Sequence, residues 1–211
     1  MNAHTQRLML QGEAGAIEAL RDAPTDTPAA ASKGVAIVAH PHPLFGGTMD
    51  NKVVQTLARA FVQCGWTVVR FNFRGVGASE GQHDNGQGEA HDLVQVVAQV
   101  AAQGPLAMAG FSFGSFVASH ALQRLWPERS IEKIVLVGTA AQRFTVAPLP
   151  TELHDKTLVV HGEHDDTVSL ASVMDWARLQ SLPVTVVPGG GHFFHGQLPL
   201  LKGLVVRHLM A

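Results

Sequence analysis

Leu106-Ala107-Met108-Ala109-Gly110-Phe111-Ser112-Phe113-Gly114 is the stretch on which the reading of this chain turns. Residues 106–109 form a short, continuously apolar run, as a strand buried on both faces requires. From 113 to 126, apolar residues recur at helical spacing and stop just before Pro127. Between the two, a G-x-S-x-G sequence predicts a serine on a sharp strand-to-helix turn. Its glycines remove the side chains that would clash as the helix doubles back on the strand. The serine oxygen then sits at the carboxyl edge of a sheet, with a helix N-terminus behind it that favours developing negative charge. The alternative is a glycine-flanked turn whose serine merely caps the helix.

Working outward, the same kind of apolar run recurs at 35–39, 67–71, 134–137, 157–160 and 184–187. Amphipathic helical patterns lie between them: Val53, Val54, Leu57, Ala60 and Phe61 ahead of Gly65, then 92–102, 169–179 and 198–210. Alternation of this kind predicts an α/β fold, a mostly parallel twisted sheet with helices on both faces. Residues 7–10 and 16–20 flank Gly12-Glu13-Ala14-Gly15 and read as an N-terminal antiparallel hairpin, with 24–33 a surface loop leading into the sheet. No internal repeat or composition break marks a second unit, so one domain over 1–211 is expected. Residues 139–156 leave room for one short helix at most, and no lid domain is predicted.

Composition removes several functions. In 211 residues there are 15 basic and 17 acidic side chains, no overall positive excess to track a phosphate backbone, so no nucleic-acid partner is expected. One cysteine excludes an internal disulfide and a multi-thiolate metal centre. Leu8-Met9-Leu10 is too short for a signal-peptide core, and no apolar run reaches the roughly 20 residues needed to cross a bilayer. A soluble cytoplasmic protein without a membrane partner is expected, as a monomer or small homo-oligomer.

A nucleophilic serine needs a base, and the base needs an acid that fixes its tautomer. In the chain order serine, acid, histidine, the strand at 157–160 runs into His161-Gly162-Glu163-His164-Asp165-Asp166, and the strand at 184–187 into Pro188-Gly189-Gly190-Gly191-His192. Asp165, at the loop apex, is the expected acid, leaving Asp166 to cap the next helix. His192, directly after the glycines, is preferred to His195 as the base. For an oxyanion hole, one donor is the N–H of Phe113 and the other comes from His40-Pro41-His42-Pro43-Leu44-Phe45. The prolines have no N–H, which leaves His42, Leu44 and Phe45, with His42 the best placed.

Other readings compete. His40 and His42 alternate as in an extended segment and could ligate a metal with His161, His164 and Asp165, although no strong ligand spacing supports this. The glycine-rich 72–81 segment satisfies neither G-x-G-x-x-G nor a P-loop. Its expected role is structural, with Arg74 ordering the loop through carbonyls or a carboxylate. Cys64 reads as a packed thiol.

Segments 40–52, 71–81 and 109–114 together resemble the α/β-hydrolase superfamily, in particular small lidless bacterial carboxylesterase-like hydrolases with some similarity to dienelactone hydrolases. The resemblance covers nearly the whole chain. It implies a serine–aspartate–histidine triad onto which Ser112, Asp165 and His192 map, with Phe113 and His42 as oxyanion donors. A small-molecule ester substrate, with neither metal nor organic cofactor, is expected for this chemistry, while the substrates of the group do not carry over. Thioester or peptide substrates on the same triad, or a non-catalytic binding protein keeping the fold, are the alternatives. Dienelactone hydrolases carry cysteine where this chain has Ser112, so their substrate is not carried over.

Overall fold

The computed structural model describes residues 5–24 and 32–211. Most of the loop expected over 24–33 lies outside these residues, as do residues 1–4. The strands are β1 (Gln6–Gly12), β2 (Gly15–Asp22), β3 (Val35–Ala39), β4 (Thr67–Phe71), β5 (Leu106–Phe111), β6 (Ile131–Val137), β7 (Thr157–Gly162) and β8 (Val184–Val187). They form one sheet in the order β1-β2-β4-β3-β5-β6-β7-β8. The β1–β2 and β2–β4 pairs are antiparallel and the others parallel.

Alternate residues of the central strands feed two separate cores, which explains why those strands are apolar throughout. Ile37, Val69, Phe71, Met108, Leu136 and Val159 pack on one face. That face is covered by α2 (Gln87–Val100), α3 (Phe113–Leu125) and α4 (Leu170–Arg178). Ala36, Val38, Ala107, Ala109, Val135 and Val137 face the other way, toward α1 (Lys52–Gln63) and α5 (Leu198–Met210). The small residues on this second face let α1 and α5 approach the sheet closely.

Helix α2 begins at Gln87, five positions before the expected 92. Glu89 accounts for the difference: its carboxylate accepts the N–H groups of Asp84 and Gly86, a cap built within a glycine-rich stretch that reads as loop. A bidentate contact of Arg74 with Asp92, 2.8 Å through each nitrogen, ties the 72–81 loop to this helix and gives Arg74 the carboxylate partner anticipated for it. Cys64 is buried at the end of α1, as expected of a packed thiol. Between β6 and β7 the only helical element is a short 3-10 turn, Thr151–Lys156, and no lid domain is inserted; Phe144 of this passage packs beside His42 and Phe113.

Strand order sets the position of the site. From β3 the chain steps to β4 on one side, whereas β5 lies on β3's other side, so the order reverses between β3 and β5. Such a reversal opens a crevice at the carboxyl ends of the strands. The loops after β3, β5, β7 and β8 all leave from that edge.

Candidate active site

Ser112 occupies the turn between β5 and α3 with φ 56° and ψ −117°, a left-sided conformation uncommon outside glycine. Its N–H donates to the carbonyl of Val137 on β6 at 2.8 Å, which holds the turn to the sheet. Gly114 is required by proximity: a Cβ there would stand 2.4 Å from the carbonyl oxygen of Ala39 and 2.6 Å from that of His40. The first turn of α3 therefore lies directly against the loop after β3. A Cβ on Gly110 would in turn meet the carbonyl of Gly114 at 2.4 Å. The two glycines of the G-x-S-x-G sequence let backbone pack on backbone.

The structure brings the three expected side chains together. His192 Nε2 lies 3.0 Å from Ser112 Oγ, and its Nδ1 lies 2.7 Å from Asp165 Oδ2. The carboxylate can only accept, so Nδ1 carries the proton and Nε2 offers a lone pair to the serine hydroxyl. Asp165 is held by its other oxygen, which accepts the N–H groups of Thr167 at 2.9 Å and Val168 at 2.8 Å. Burial works to raise the pKa of Asp165, but the His192 and Val168 hydrogen bonds outweigh it and hold the carboxyl below its ordinary value. His195, the other candidate in that loop, is exposed.

The loops carrying Asp165 and His192 are bonded to each other. Glu163 N–H donates to Val187 O at 3.0 Å and His164 N–H to Gly190 O at 2.8 Å. A Cβ on Gly162 would stand 2.4 Å from Gly190 O, so the fit needs glycine at the end of β7. Asp166 does not cap α4 as expected. Ser169 does, its Oγ accepting the N–H of Ser172, because the helix starts at Leu170 and Asp166 lies too far upstream.

The loop after β3 resolves which of its amides is free. Leu44 N–H donates to the His42 ring Nδ1 at 3.2 Å, and Phe45 N–H to the His42 carbonyl at 3.1 Å, closing a 3-10 turn over Pro43–Phe45. Among the described residues the His42 N–H has no such acceptor. Phe113 N–H opens α3, ahead of the helix's own hydrogen-bond ladder. The rings of His42 and Phe113 pack at 4.8 Å, so the loop after β3 and the first turn of α3 are in contact. Burial, followed by the nearby His83, keeps the pKa of His42 below its ordinary value.

The competing metal reading does not match the geometry. His40 is fully buried with both nitrogens engaged: Nδ1 donates to Pro41 O at 2.6 Å, and Nε2 accepts Phe73 N–H at 2.9 Å. It anchors the loop after β3 to the loop after β4. Among the described residues no group of three or more His, Cys, Asp or Glu side chains is arranged to hold a metal ion.

Two arrangements near the site escaped sequence reasoning. His83 Nδ1 lies 2.8 Å from the buried Glu89 carboxylate, and its ring packs 4.8 Å from that of His42. His161, considered above only as a metal ligand, sits against Asp165. In both cases the partners are near in sequence and are brought together by turns that apolar periodicity does not display. Elsewhere, a cavity of about 370 Å³ between α1 and α5, lined by Arg59, Arg70, Asp22 and Lys202, is separate from Ser112. No helix among the described residues is long and apolar enough to cross a membrane.

A hydrogen-bonded serine, histidine and aspartate on a mostly parallel sheet, with the serine at a strand-to-helix turn, defines the class of α/β serine hydrolases. The family model described as "Serine aminopeptidase, S33" matches residues 33–154, and the chain belongs to this family within the α/β-hydrolase superfamily. It is 33% identical over 177 residues to the uncharacterized protein RP471 of Rickettsia prowazekii, covering 76% of this chain and 71% of that one. Among solved structures it is similar to XC6422 of Xanthomonas campestris, described as an α/β serine hydrolase without lid. The TM-score is 0.86 at 34% identity, over 100% of this chain and 95% of that one. An α/β serine hydrolase homologue from Coxiella burnetii is 35% identical with a TM-score of 0.78 and 97% coverage of both chains. The lidless α/β-hydrolase fold expected from the sequence is thus the fold of the protein, and its family is one of hydrolases.

Proposed function

We propose that the protein is a carboxylesterase-like serine hydrolase that cleaves small or soluble carboxylic esters through an acyl-enzyme on Ser112. The observation that carries this reading is the continuous hydrogen-bonded line from Ser112 Oγ through His192 to Asp165. In the first half-reaction Ser112 Oγ attacks the ester carbonyl while its proton passes to His192 Nε2. Asp165 holds the ring in the Nδ1–H tautomer and stabilises the imidazolium that forms. The carbonyl oxygen becomes an oxyanion held by the N–H groups of Phe113 and His42. Removing one such donor in comparable sites raises the barrier by roughly 3–4 kcal/mol. Collapse expels the alcohol, which takes the proton from His192. Water then repeats the sequence on the acyl-enzyme, releasing the acid and restoring Ser112. No step calls for a metal or an organic cofactor.

Small substrates fit the surroundings. Leu44 and Phe45 on one side and Phe193 on the other are exposed apolar residues at the rim of the site. They offer contact to a short acyl or alcohol group without enclosing a long one. The test is turnover of p-nitrophenyl acetate, butyrate and octanoate by wild-type protein and by Ser112→Ala. Hydrolysis by the wild type that falls by about 10⁴-fold or more in the variant is expected; activity retained in Ser112→Ala contradicts the proposal. An alanyl p-nitroanilide turned over faster than every ester would move the substrate class to peptides on the same residues.

A further inference from the structure

His161 is a buried histidine that the proposed reaction does not use. It lies on β7 just before Gly162, with no exposed surface. Its Nε2 is 2.9 Å from the carbonyl oxygen of Val168 and 3.5 Å from Asp165 Oδ2. Its Nδ1 is buried and meets no hydrogen-bond partner among the described residues. Together these contacts define the ring's protonation state. A carbonyl only accepts, so Nε2 carries the proton, and a neutral imidazole has no second N–H. Adding a proton to Nδ1 would bury a donor with nothing to receive it, a costly arrangement. Burial accordingly pushes the His161 pKa below its ordinary value.

The consequence concerns Asp165. Its Oδ2 is faced by two imidazoles, His192 at 2.7 Å and His161 at 3.5 Å, and these are the titratable groups around it. A carboxylate between two histidines can stabilise a positive charge on either. We infer that His161 is a positioning residue for the triad: its neutral Nε2–H, bonded to Val168 O and 3.5 Å from Asp165 Oδ2, attracts the carboxylate electrostatically and holds it in the rotamer that reaches His192. The bare, enclosed Nδ1 keeps His161 from becoming a second cation that would draw the charge of Asp165 away from the base. This inference rests on the esterase reading given above.

The test compares His161→Phe, which keeps a ring without an N–H, with His161→Gln, whose amide nitrogen lies about as far along the side chain as Nε2. Two readouts are needed: kcat, KM and the pH profile of kcat/KM on p-nitrophenyl acetate, and the downfield proton resonance of the His192 Nδ1–H. In folded His161→Phe, kcat is expected to fall about tenfold to a hundredfold with KM little changed, as for a slightly misplaced catalytic group. The acid limb of the profile should move to higher pH, because a carboxylate that no longer faces the His161 N–H dipole stabilises a protonated His192 more strongly, and the downfield resonance should shift or broaden. His161→Gln should recover most of the rate and the wild-type resonance, and it carries the test alone if the Phe variant does not fold. A folded Phe variant with the wild-type profile and resonance overturns the inference, as does a folded Gln variant that loses both. Wild-type protein that shows the downfield resonance but turns over no ester separates the two ideas, since the hydrogen bond would stand and the esterase reading would fall.

Discussion

Ser112, the proposed nucleophile, carries backbone strain. A non-glycine residue at φ 56° is held there at a cost of order 1–3 kcal/mol, offset by the sheet and helix on either side. Ser112→Gly is therefore expected to unfold at higher urea concentration than Ser112→Ala, by about 1 kcal/mol, although both lack the nucleophile. Equal midpoints would show that the turn is not strained. The neighbouring aspartates separate as sharply: Asp165→Asn, which loses the tautomer-fixing acceptor, should lower kcat by about 10⁴-fold, and Asp166→Asn should leave it unchanged. A reversed result would assign the acid to Asp166. His40 supplies a pH dependence of stability. Burial lowers its pKa to about 4, against 6.5 for the free side chain, with the Pro41 hydrogen bond opposing the shift only in part. Unfolded chains therefore take up the proton first as pH falls. The stability from keeping His40 neutral is complete above pH 6.5 and is lost between 6.5 and about 4, roughly 3 kcal/mol in all. In chemical denaturation the gap between wild type and His40→Phe should narrow by that amount from pH 7 to 4; parallel curves would contradict it.

Among the elements, the turns that bring strands and helices into backbone contact do most to place the site. Gly114 against Ala39 and Gly162 against Gly190 are both approaches that a methyl group would block. Gly114→Ala is expected to cost about 1–3 kcal/mol and to cut the rate of the proposed ester hydrolysis at least tenfold, since the loop holding the His42 amide must back away. Gly203→Ala in α5, where an added Cβ meets nothing, should instead be neutral or stabilise by up to about 1 kcal/mol. Similar effects from both would show that the close approach is immaterial. These same turns mark how far the sequence could be read. The serine, the histidine after its glycines and the aspartate at its loop apex all follow strand ends, and strand ends are visible as breaks in apolar runs. The Glu89 cap, the His83–Glu89 contact and the His161–Asp165 contact join residues close in sequence, but they depend on the backbone turns of residues 83–89 and 161–165, which apolar periodicity does not encode.

Across the whole molecule, the reversal between β3 and β5 puts the four site-forming loops on one edge, and the short passage from β6 to β7 inserts no lid domain over it. Apolar periodicity was enough to anticipate the layered sheet, because each central strand serves two cores and shows it in unbroken hydrophobicity. A lidless site has a kinetic signature. The rate with a short triglyceride should rise smoothly through its solubility limit, with no jump when droplets form, and a strong preference for long-chain emulsions would contradict an open site. The most direct test of the serine hydrolase chemistry is to treat the folded protein with a fluorophosphonate and locate the adduct by peptide mass spectrometry. Labelling is expected at Ser112, near one adduct per chain, unchanged in Asp166→Asn and absent in Ser112→Ala. No adduct on folded wild-type protein, or an adduct on any other residue, would contradict the assignment of Ser112 as the nucleophile.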